Sequence, residues 1–562
     1  MYQKTIRLLI VITTAVNLFY TPSILFAQGL SDRVQEFLRS RIESVSGLPK
    51  ISVGEELIYA SVVLPVFYER RGFWPVWSND DGLLPNVDVM VKAIRTAEHE
   101  GFNPNDYHIL RIDAMVGEIR QNQKNKIPFD PRRFADLDLL LTDAFLIYGA
   151  HLLAGKVDPE KIDAEWNASR REVDLAEVLE NAHTKNRILD ALQNLLPPQP
   201  GYTRLKEALA RYRKIAASGG WSVVPAGPKL QKDDKNERVS ILRNRLIATG
   251  DLVSLKGDSA DLFDDELEQA VRRFQQRHGL DVDGVVGPAT LGALNVSVDE
   301  RIEQIILNME RWRWLPHDLG RRYVIINISN FELDVVENGK TVMTMKAVVG
   351  KPFRRTPVFS DKMTYLVLSP YWNVPNNIAV QDILPIIRKN PGYLTSKKIK
   401  VFKGWGVEAQ EISPAAVDWT TITAKNFNYR FRQDPGSQNA LGRVKFMFPN
   451  KYNVYIHDTP SKELFAKAER GFSSGCIRIE DPIDLAEYVL RGDPKWTREK
   501  ILIEINKGIE QTIKLPEQIP VHLLYWTAWA DENGLVQFRN DVYERDKLLE
   551  EAFFEKPPKA TN

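Results

Sequence analysis

Cys476 and His457 are the two residues whose types and spacing could carry out covalent chemistry. Cys476 is the only cysteine among 562 residues, and His457, nineteen positions before it, is one of eight histidines. An imidazole can accept the proton of a neighbouring thiol, which leaves a nucleophilic thiolate and an imidazolium. The pair could therefore form a reactive centre with a nucleophilic sulfur. The alternative is a buried, unreactive thiol and a structural histidine, which are the commoner uses of both residue types.

The sequence around Cys476 favours the reactive interpretation. Ser473, Ser474 and Gly475 form turns readily, so we expect the thiol to lie between a loop and the predicted strand "IRI". Backbone N–H groups in such a turn, those of Gly475 and Cys476 and also that of Ser474, could hold a negatively charged oxygen. His457 directly follows the predicted strand "NVYI", which would hold its ring on a rigid edge.

Other kinds of site find less support. Residues 471–475, "GFSSG", fit the serine-hydrolase pattern G-x-S-x-G, but that motif needs a strand before it and a helix after it, and the sequence predicts a helix and then a strand. The histidines form no HxxxH pair and there is no second cysteine, so we expect no metal. No Walker A or Rossmann glycine pattern indicates a nucleotide, so we expect no cofactor.

The elements that must position this pair are predicted to be strands. The pattern changes to strands near Arg322, and Asn338-Gly339 predicts a hairpin turn between two alternating segments. Residues 378–433 interrupt the strands with a long mixed insertion. A segment of this length inside a sheet domain is typical of a functional lid or a subdomain.

The rest of the chain divides into regions of different composition. The N-terminal part shows apolar residues at helical spacing, most clearly over 134–159, where Asp136, Asp138 and Asp143 argue against a membrane span. A segment rich in glycine, proline and charge follows, and then a short helical unit. The predicted boundaries are 28–216 for a mostly helical scaffold domain, 217–240 for a linker, 241–296 for a small helical bundle, 322–506 for a β domain and 507–562 for a β tail.

The first 27 residues have the form of an export signal. Lys4 and Arg7 precede an apolar run over residues 8–20. Ala27 offers a position for cleavage. The run is nearly long enough to stay in the inner membrane, so cleavage and anchoring both remain open. In either case the sequence predicts a protein that acts outside the cytoplasm, in the periplasm.

The overall charge gives no reason to expect a nucleic-acid partner. Lysine and arginine number 75 and aspartate and glutamate 74, so the net charge is +1. A near-neutral chain creates no field that would attract nucleic acid or an anionic membrane. Hydrophobic residues make up 43% and charged residues 27% of the chain, as in folded soluble proteins, and the length predicts several domains.

Several segments resemble one known family. "HDTP" and "GFSSGCIR" resemble the active-site signature of the L,D-transpeptidases, H-G-T followed by S-H-G-C-x-R. Residues 348–375 and 429–450 resemble blocks of the large, multidomain Gram-negative branch. Residues 241–296 resemble a small peptidoglycan-binding domain. That resemblance is carried by Phe274, Gln275, Gly279, Leu280, Asp283, Gly284, Gly287, Thr290 and Leu294.

The resemblance implies a fold and a role for each residue of the signature. The fold is multidomain α+β: a helical scaffold, a small peptidoglycan-binding-like bundle, and a catalytic β-sandwich with a mixed capping insertion. The implied roles are Cys476 as nucleophile, His457 as general base and acid, Asp458 as the backbone carbonyl that orients His457, Gly475 and Ser474 as oxyanion N–H donors, and Arg478, Tyr455, Trp372 and Asn373 as substrate-binding residues. Ser474 replaces a common histidine and Asp458 a usual glycine, so Ser474 cannot supply a base and Asp458 could alter the local charge.

The resemblance also implies the substrates. The donor is a peptidoglycan tetrapeptide stem that loses D-Ala, and the acceptor is the diaminopimelate amine of a second stem. The product is a direct diaminopimelate–diaminopimelate cross-link, and a carbapenem should acylate Cys476. The glycan is a further partner, and cell-wall synthases remain open as others. Two alternatives also remain: an L,D-carboxypeptidase or cross-link hydrolase with water as acceptor, and a non-catalytic wall-binding scaffold.

Overall fold

The computed structural model describes residues 28–44, 51–167, 170–253, 260–404, 406 and 409–555. The predicted export segment, residues 1–27, lies outside the described residues. The described chain begins with helices, continues through a small helical bundle, and ends in a large sheet that carries a mixed insertion. In this coarse form the predicted multidomain α+β fold is confirmed.

The N-terminal region is helical, as its spacing of apolar residues predicts. It also contains two short hairpins, β1–β2 and β3–β4. Its elements are α1 (Leu30–Glu43), β1 (Ser52–Val53), β2 (Glu56–Leu57), α2 (Val63–Arg70), β3 (Ser78–Asn79), β4 (Gly82–Leu83), α3 (Asn86–Arg95), α4 (Ile109–Lys124), α5 (Pro131–Ala154), α6 (Pro159–Ile162), α7 (Leu175–Thr184), α8 (Ile188–Gln193) and α9 (Pro200–Ala217).

Helix α5 is the central helix of this region. Asp130 caps it by accepting a hydrogen bond from the Arg132 N–H at 3.0 Å. Among the described residues it alone is long and apolar enough to cross a membrane, by length and composition only, but 78% of its apolar window is buried inside the protein. Asp138 accepts hydrogen bonds from the Tyr68 hydroxyl at 2.7 Å and from the Trp77 N–H at 2.9 Å. Asp138, whose charge makes a membrane span unfavourable, therefore attaches the loop that contains Trp77 to helix α5.

The small bundle consists of α10 (Glu237–Ala248), α11 (Asp265–Arg277) and α12 (Pro288–Asn295). Helix α10 begins inside the segment predicted as a linker, because Asn236 caps it by accepting a hydrogen bond from the Arg238 N–H at 3.0 Å. Val224 and Leu230, also from that segment, are buried in the core of the bundle. The part of the chain that only connects two units is thus shorter than predicted.

Gln275 explains much of the sequence signature of this bundle. Its side-chain N–H group donates to Asp283 Oδ1 at 2.7 Å and to Thr290 Oγ1 at 3.2 Å, and its carbonyl oxygen accepts from the Gly284 N–H at 2.8 Å. These contacts fix the turn between α11 and α12. The residues that resemble a peptidoglycan-binding domain therefore have a structural role here.

Helix α13 (Val298–Arg313) leads into the strand-rich half of the chain. The elements of that half are β5 (Arg322–Asn327), β6 (Glu332–Glu337), β7 (Lys340–Gly350), β8 (Phe359–Leu368), β9 (Trp372–Asn373), α14 (Asn376–Ile378), α15 (Leu384–Lys389), α16 (Tyr393–Ser396), β10 (Ile399–Lys403), β11 (Gln410–Ile412), β12 (Tyr429–Gln433), β13 (Val444–Met447), β14 (Ile456–His457), β15 (Gly471–Ser473), β16 (Ile477–Ile479), α17 (Pro482–Leu490), α18 (Arg498–Asn506), β17 (Gln511–Leu524), β18 (Ala528–Ala530), β19 (Val536–Phe538) and α19 (Arg545–Phe553).

Nine of these strands form one sheet, in the order β15-β7-β16-β14-β13-β8-β17-β5-β6. Strand β6 also pairs with β7 through the predicted hairpin, whose last pair is Glu337 with Lys340. The two sides of the sheet are therefore joined, and the pairings describe a single closed sheet. The two-layer sandwich remains a prediction.

The insertion predicted over residues 378–433 forms its own small unit, which begins earlier than predicted because β9 and α14 are part of it. Strands β11, β10, β12 and β9 make a four-stranded sheet, with α14, α15 and α16 beside it. Ile387, Leu394, Val401 and Phe431 lie in a hydrophobic core that is separate from the core of the main sheet. A separate core allows the insertion to keep its shape without help from the main sheet.

The C-terminal segment 507–562 is not only the β tail that was predicted. Strand β17 lies between β8 and β5, so this segment contributes a strand to the interior of the main sheet. The chain then forms the β18–β19 hairpin and ends its described part in helix α19. Leu549 and Phe553, four residues apart, face the core, and this helical spacing is the signal that the strand prediction missed.

The scaffold helices and the main sheet share one hydrophobic core. Residues from α1 to β19 belong to a single buried cluster, while the bundle and the insertion have their own clusters. At the junction Trp312 of α13 stacks on Trp526, with ring centroids 4.3 Å apart. The helical region therefore supports the sheet directly.

Candidate active site

Cys476 lies in the turn between β15 and β16, at the junction that the sequence predicts. Gly475 has a φ of +114°, a backbone conformation that favours glycine and that places the cysteine at the start of β16. The thiol is half-buried, and its Sγ lies 3.9 Å from the Asn453 carbonyl oxygen. The Gly475 carbonyl accepts a hydrogen bond from Thr356 Oγ1 at 2.9 Å, which holds the turn against the loop after β7.

His457 is the last residue of β14, the strand that runs parallel to β16. It pairs in register with Arg478, and the Ile477 N–H donates to the Tyr455 carbonyl at 3.0 Å. The side chain is buried, and Nδ1 lies 2.5 Å from the Asp458 carbonyl oxygen. Because a carbonyl can only accept, Nδ1 carries the hydrogen and Nε2 is left with a free lone pair. This contact is the one that the predicted orienting role of Asp458 requires.

The electrostatics of the site favour neutral partners. Burial, with help from the Arg478 guanidinium and against the attraction of Asp458, lowers the pKa of His457 to about 3. Burial also raises the pKa of the Cys476 thiol, although Tyr455, Lys445 and Arg478 act in the opposite direction. Burial therefore disfavours the charged forms of both groups, so the thiolate–imidazolium pair needs other groups nearby to stabilise it.

Asp458 stands where the signature that this segment resembles has glycine, and the surrounding residues make room for its side chain and neutralise its charge. Its carboxylate accepts from the Arg443 N–H at 2.8 Å and lies 2.9 Å from Lys462 Nζ. A Cβ on Gly442 would lie 2.4 Å from Asp458 Cγ, so only glycine leaves space for this side chain. The sequence argument named neither Gly442 nor Lys462, which approach Asp458 from outside the signature.

The predicted oxyanion donors do not all have free N–H groups. The Gly475 N–H donates to Ser473 Oγ at 3.1 Å, so this donor is already used within the turn, contrary to the prediction. The acceptor is the hydroxyl of Ser473, a short polar side chain that can reach a backbone N–H two positions later. Within the part of the chain that the structure describes, the backbone N–H groups of Ser474 and Cys476 donate to no acceptor. They remain the candidates for holding an oxyanion.

Cys476 and His457 face the same cavity, which has a volume of about 860 Å³. All four residues predicted to bind substrate also line it: Arg478, Tyr455, Trp372 and Asn373. The opposite wall comes from the insertion and includes Asn377, Ile378, Gln381, Asp382, Ile386 and Tyr393. The structure thus places these predicted site residues around one cavity, and residues of the insertion also line it.

Two residues tie the cavity to its surroundings and were not found from sequence. Arg354 donates to Ser474 Oγ at 3.0 Å and to Gln381 Oε1 at 2.9 Å, and it also pairs with Asp382, so it links the nucleophile turn to the insertion. Lys445 lies on β13 directly opposite His457. The alternation of "VKFMF" places Lys445 on the face opposite Val444, but only the folded sheet shows that this face borders the cavity.

Comparisons with known proteins agree with this architecture. Three family models match the chain. Residues 63–209 match the family described as "Scaffold domain", and residues 235–294 match "Putative peptidoglycan binding domain". Residues 321–502 match "L,D-transpeptidase catalytic domain". The chain is 32% identical over 249 residues to a Haemophilus influenzae protein named "Putative L,D-transpeptidase". That match covers 44% of this chain and 49% of the relative, so the chain spans about half the length of this curated relative.

Two further similarities are more limited. Over 75 residues the chain is 43% identical to N-acetylmuramoyl-L-alanine amidase CwlM of Mycobacterium tuberculosis, which covers 12% of this chain and 18% of CwlM. The solved L,D-transpeptidase from Xylanimonas cellulosilytica is 18% identical, with 53% of this chain and 98% of that chain covered, at a TM-score of 0.16. A score this low establishes no shared fold. Residues 321–502 match an L,D-transpeptidase catalytic domain, and the chain is similar over 249 residues to a protein named for that activity.

Proposed function

We propose that this protein is a peptidoglycan L,D-transpeptidase that joins two diaminopimelate residues through a thioester on Cys476. The proposal is supported by one observation: the Cys476 sulfur and the His457 imidazole, whose Nδ1 is held by the Asp458 carbonyl, face one cavity that the insertion helps to line. The match of residues 321–502 to the catalytic domain supports the reaction class. Because peptidoglycan lies outside the cytoplasmic membrane, the proposal places the protein there, in agreement with the predicted export signal.

The first half of the reaction forms the thioester. His457 Nε2 accepts the proton of Cys476 as the sulfur attacks the carbonyl carbon between diaminopimelate and the terminal D-Ala of a tetrapeptide stem. The S–C bond forms, and the N–H groups of Ser474 and Cys476 hold the oxyanion. The C–N bond then breaks, and the D-Ala amine leaves with the proton that His457 returns.

The second half transfers the acyl group. The amine on the side chain of a second stem's diaminopimelate attacks the thioester carbon and gives a proton to His457. The C–S bond breaks, and the sulfur recovers that proton as a thiol. The thioester conserves the free energy of the peptide bond that was cleaved, so the step needs no nucleotide.

Charge in the cavity suits an anionic peptide. Lys351, Lys445 and Arg478 line it, while its one lining carboxylate among the described residues, Asp382, is paired with Arg354. Nε of Arg478 is buried without a hydrogen-bond partner in the described part of the chain. A stem-peptide carboxylate would supply one, because guanidinium and carboxylate form strong charge-assisted hydrogen bonds. Trp372 and Asn373 would form the wall of the acyl pocket.

The test is incubation of the purified protein with a disaccharide-tetrapeptide, alongside Cys476→Ala. We expect the wild type to form a cross-linked dimer with release of D-Ala, and Cys476→Ala to form none. Free tripeptide without dimer would instead identify an L,D-carboxypeptidase. Absence of both products, together with no carbapenem adduct on Cys476 by intact mass spectrometry, would contradict the proposal and favour a wall-binding scaffold.

A further inference from the structure

Lys445 lies beside the proposed nucleophile, and the proposed mechanism gives it no chemical step. It occupies β13, where it pairs with His457 of β14, which in turn pairs with Arg478 of β16. Residues paired across adjacent strands point to the same face of a sheet. The three side chains therefore form a row that faces the cavity, with the imidazole between two cations.

The ammonium of Lys445 is held close to the thiol by an aromatic ring. Its Nζ lies 3.9 Å from the centre of the Tyr455 ring. Tyr455 and Lys445 line the same cavity as Cys476, and both lower the pKa of the Cys476 thiol, although burial has the larger, opposite effect. A cation over an aromatic face at this distance is attracted by the ring and keeps a defined position.

Lys445 also lacks a carboxylate partner within the described residues. Lys462 pairs with Asp458, and Lys346 pairs with Glu480, but no carboxylate lies within ion-pair distance of Lys445. The side chain is half-buried. An unpaired and partly desolvated ammonium costs free energy, and that cost is offset when an anion forms next to it.

We propose that the Lys445 ammonium is the counter-charge that stabilises the Cys476 sulfur as it becomes a thiolate. This inference rests on the proposed use of Cys476 as the nucleophile. It explains how the thiol can ionise beside an imidazole that is surrounded by cations. The proton moves from Sγ to Nε2 of His457, and the negative charge that stays on sulfur is compensated by Lys445 and, on the other side of the row, by Arg478.

Other charged groups around the sulfur do not replace Lys445. Besides Cys476 itself, the titratable groups that line the cavity are Lys351, Asp382, Tyr393, Lys445, Tyr452, Tyr455, His457 and Arg478. Burial lowers the pKa of Lys445, and the attraction of Cys476 and Glu510 opposes this effect. Glu463 acts on Arg478 in a similar way. Lys445 and Arg478 are the cations that act on the thiol.

The test uses iodoacetamide, a small neutral reagent that alkylates only the thiolate and has no carboxylate to bind. Its rate of reaction with Cys476 is measured against pH by intact mass spectrometry for wild type, Lys445→Met and Lys445→Arg. Methionine keeps the apolar contact with Tyr455 and removes the charge. We expect Lys445→Met to raise the thiol pKa by about one unit, and so to slow alkylation about tenfold near neutral pH. Lys445→Arg should restore the rate to within about threefold of wild type, because it restores the charge.

Controls separate the possible results. Lys346→Met removes another lysine of the same sheet and should leave the alkylation profile unchanged. If Lys445→Met does not fold, as judged by thermal unfolding, Lys445→Gln replaces it. If Lys445→Met leaves the pH profile of alkylation unchanged, the inference is overturned. If the same variant also has a higher KM for the tetrapeptide, Lys445 binds a substrate carboxylate instead. The two proposals can fail separately. If the wild type forms no cross-links but Lys445→Met still slows alkylation of Cys476, the proposed function is contradicted and the inference about Lys445 stands.

Discussion

At the residue scale, the position of the His457 imidazole, the proposed base, depends on a contact from the loop that follows β14. The Asp458 carbonyl holds His457 Nδ1, and the Asp458 side chain is enclosed by Arg443, Lys462 and Gly442. Gly442 has a φ of +62°, a backbone conformation that favours glycine. Glycine at this position therefore allows the turn to form and also leaves space for the Asp458 side chain. A side chain at position 442 would displace Asp458 and with it the imidazole.

We therefore expect Gly442→Ala to lower both stability and activity. The left-handed backbone alone costs an alanine about 1–2 kcal/mol, and the clash with Asp458 adds to that. Chemical denaturation measures the loss of stability, and the rate of carbapenem acylation reports the geometry of the site. Gly339→Ala is the matched control: its φ is +75° and a Cβ there would meet nothing within 4 Å, so it should show the backbone cost alone.

The double variant Gly442→Ala/Asp458→Gly tests the steric part of this argument. Removal of the Asp458 side chain relieves the clash, so the double variant should regain stability relative to Gly442→Ala. Equal stability of the single and the double variant would show that the clash has no effect and that only the backbone conformation matters.

At the element scale, the loop between β7 and β8 holds the nucleophile turn in place. Thr356 Oγ1 accepts from the Gly350 N–H at 2.9 Å and donates to the Gly475 carbonyl at 2.9 Å. The Tyr543 hydroxyl donates to the Gly350 carbonyl at 2.6 Å and accepts from the Thr356 N–H at 3.2 Å. A residue from the C-terminal segment thus helps to fix the turn that carries Cys476.

Thr356→Val should weaken this support while keeping the shape of the side chain. It leaves the buried Gly350 N–H and Gly475 carbonyl without a partner, which typically costs about 1–3 kcal/mol of stability. We expect acylation of Cys476 to slow about tenfold, since small displacements of reacting groups have large effects on rate. Thr356→Ser retains the hydroxyl and should stay within about twofold of wild type. A lower melting temperature with an unchanged acylation rate would give Thr356 a structural role only.

The sequence predicted the elements that depend on local signals. The hairpin at Asn338-Gly339 and the strand after Cys476 follow from turn residues and alternation, and the structure contains both. The sequence did not predict the hydrogen bond from the Gly475 N–H to Ser473 Oγ, because this bond depends on the rotamer of Ser473. It also missed the bridge between Trp166 and Val358, where the Asn167 N–H donates to the Val358 carbonyl at 2.9 Å. Contacts between residues so distant in sequence leave no periodic pattern.

At the scale of the whole molecule, buried charges join the scaffold to α13, the helix that leads into the main sheet. Arg313 of α13 is fully buried and donates to Glu310 Oε2 at 2.9 Å, to the Glu100 carbonyl at 2.5 Å and to the Tyr202 hydroxyl at 2.8 Å. Glu310 also accepts from the Val157 N–H at 2.8 Å. This network joins the helix that enters the sheet to three separate parts of the scaffold.

We therefore expect Arg313→Met to destabilise scaffold and sheet together. It leaves the Glu310 carboxylate buried without a counter-charge, which costs about 3–5 kcal/mol. Burial already raises the pKa of Glu310, and loss of Arg313, which lowers it, should raise that pKa further. Because the pKa of the Glu310 carboxyl is higher in the folded than in the unfolded protein, its protonated form favours folding. The destabilisation by Arg313→Met should therefore be smaller near pH 5 than near pH 8. Chemical denaturation at both pH values, followed by tryptophan fluorescence and by loss of carbapenem acylation, measures the effect.

The shared core implies that both probes report one transition, shifted equally by Arg313→Met. The double variant Arg313→Met/Glu310→Gln removes the unpaired charge and should recover part of the loss and most of the pH dependence. Arg498→Met removes an exposed ion pair with Asp484 and should change stability by less than about 1 kcal/mol. Two separate transitions, with the acylation probe unmoved by Arg313→Met, would show that the sheet keeps its fold without the scaffold, in spite of the common core.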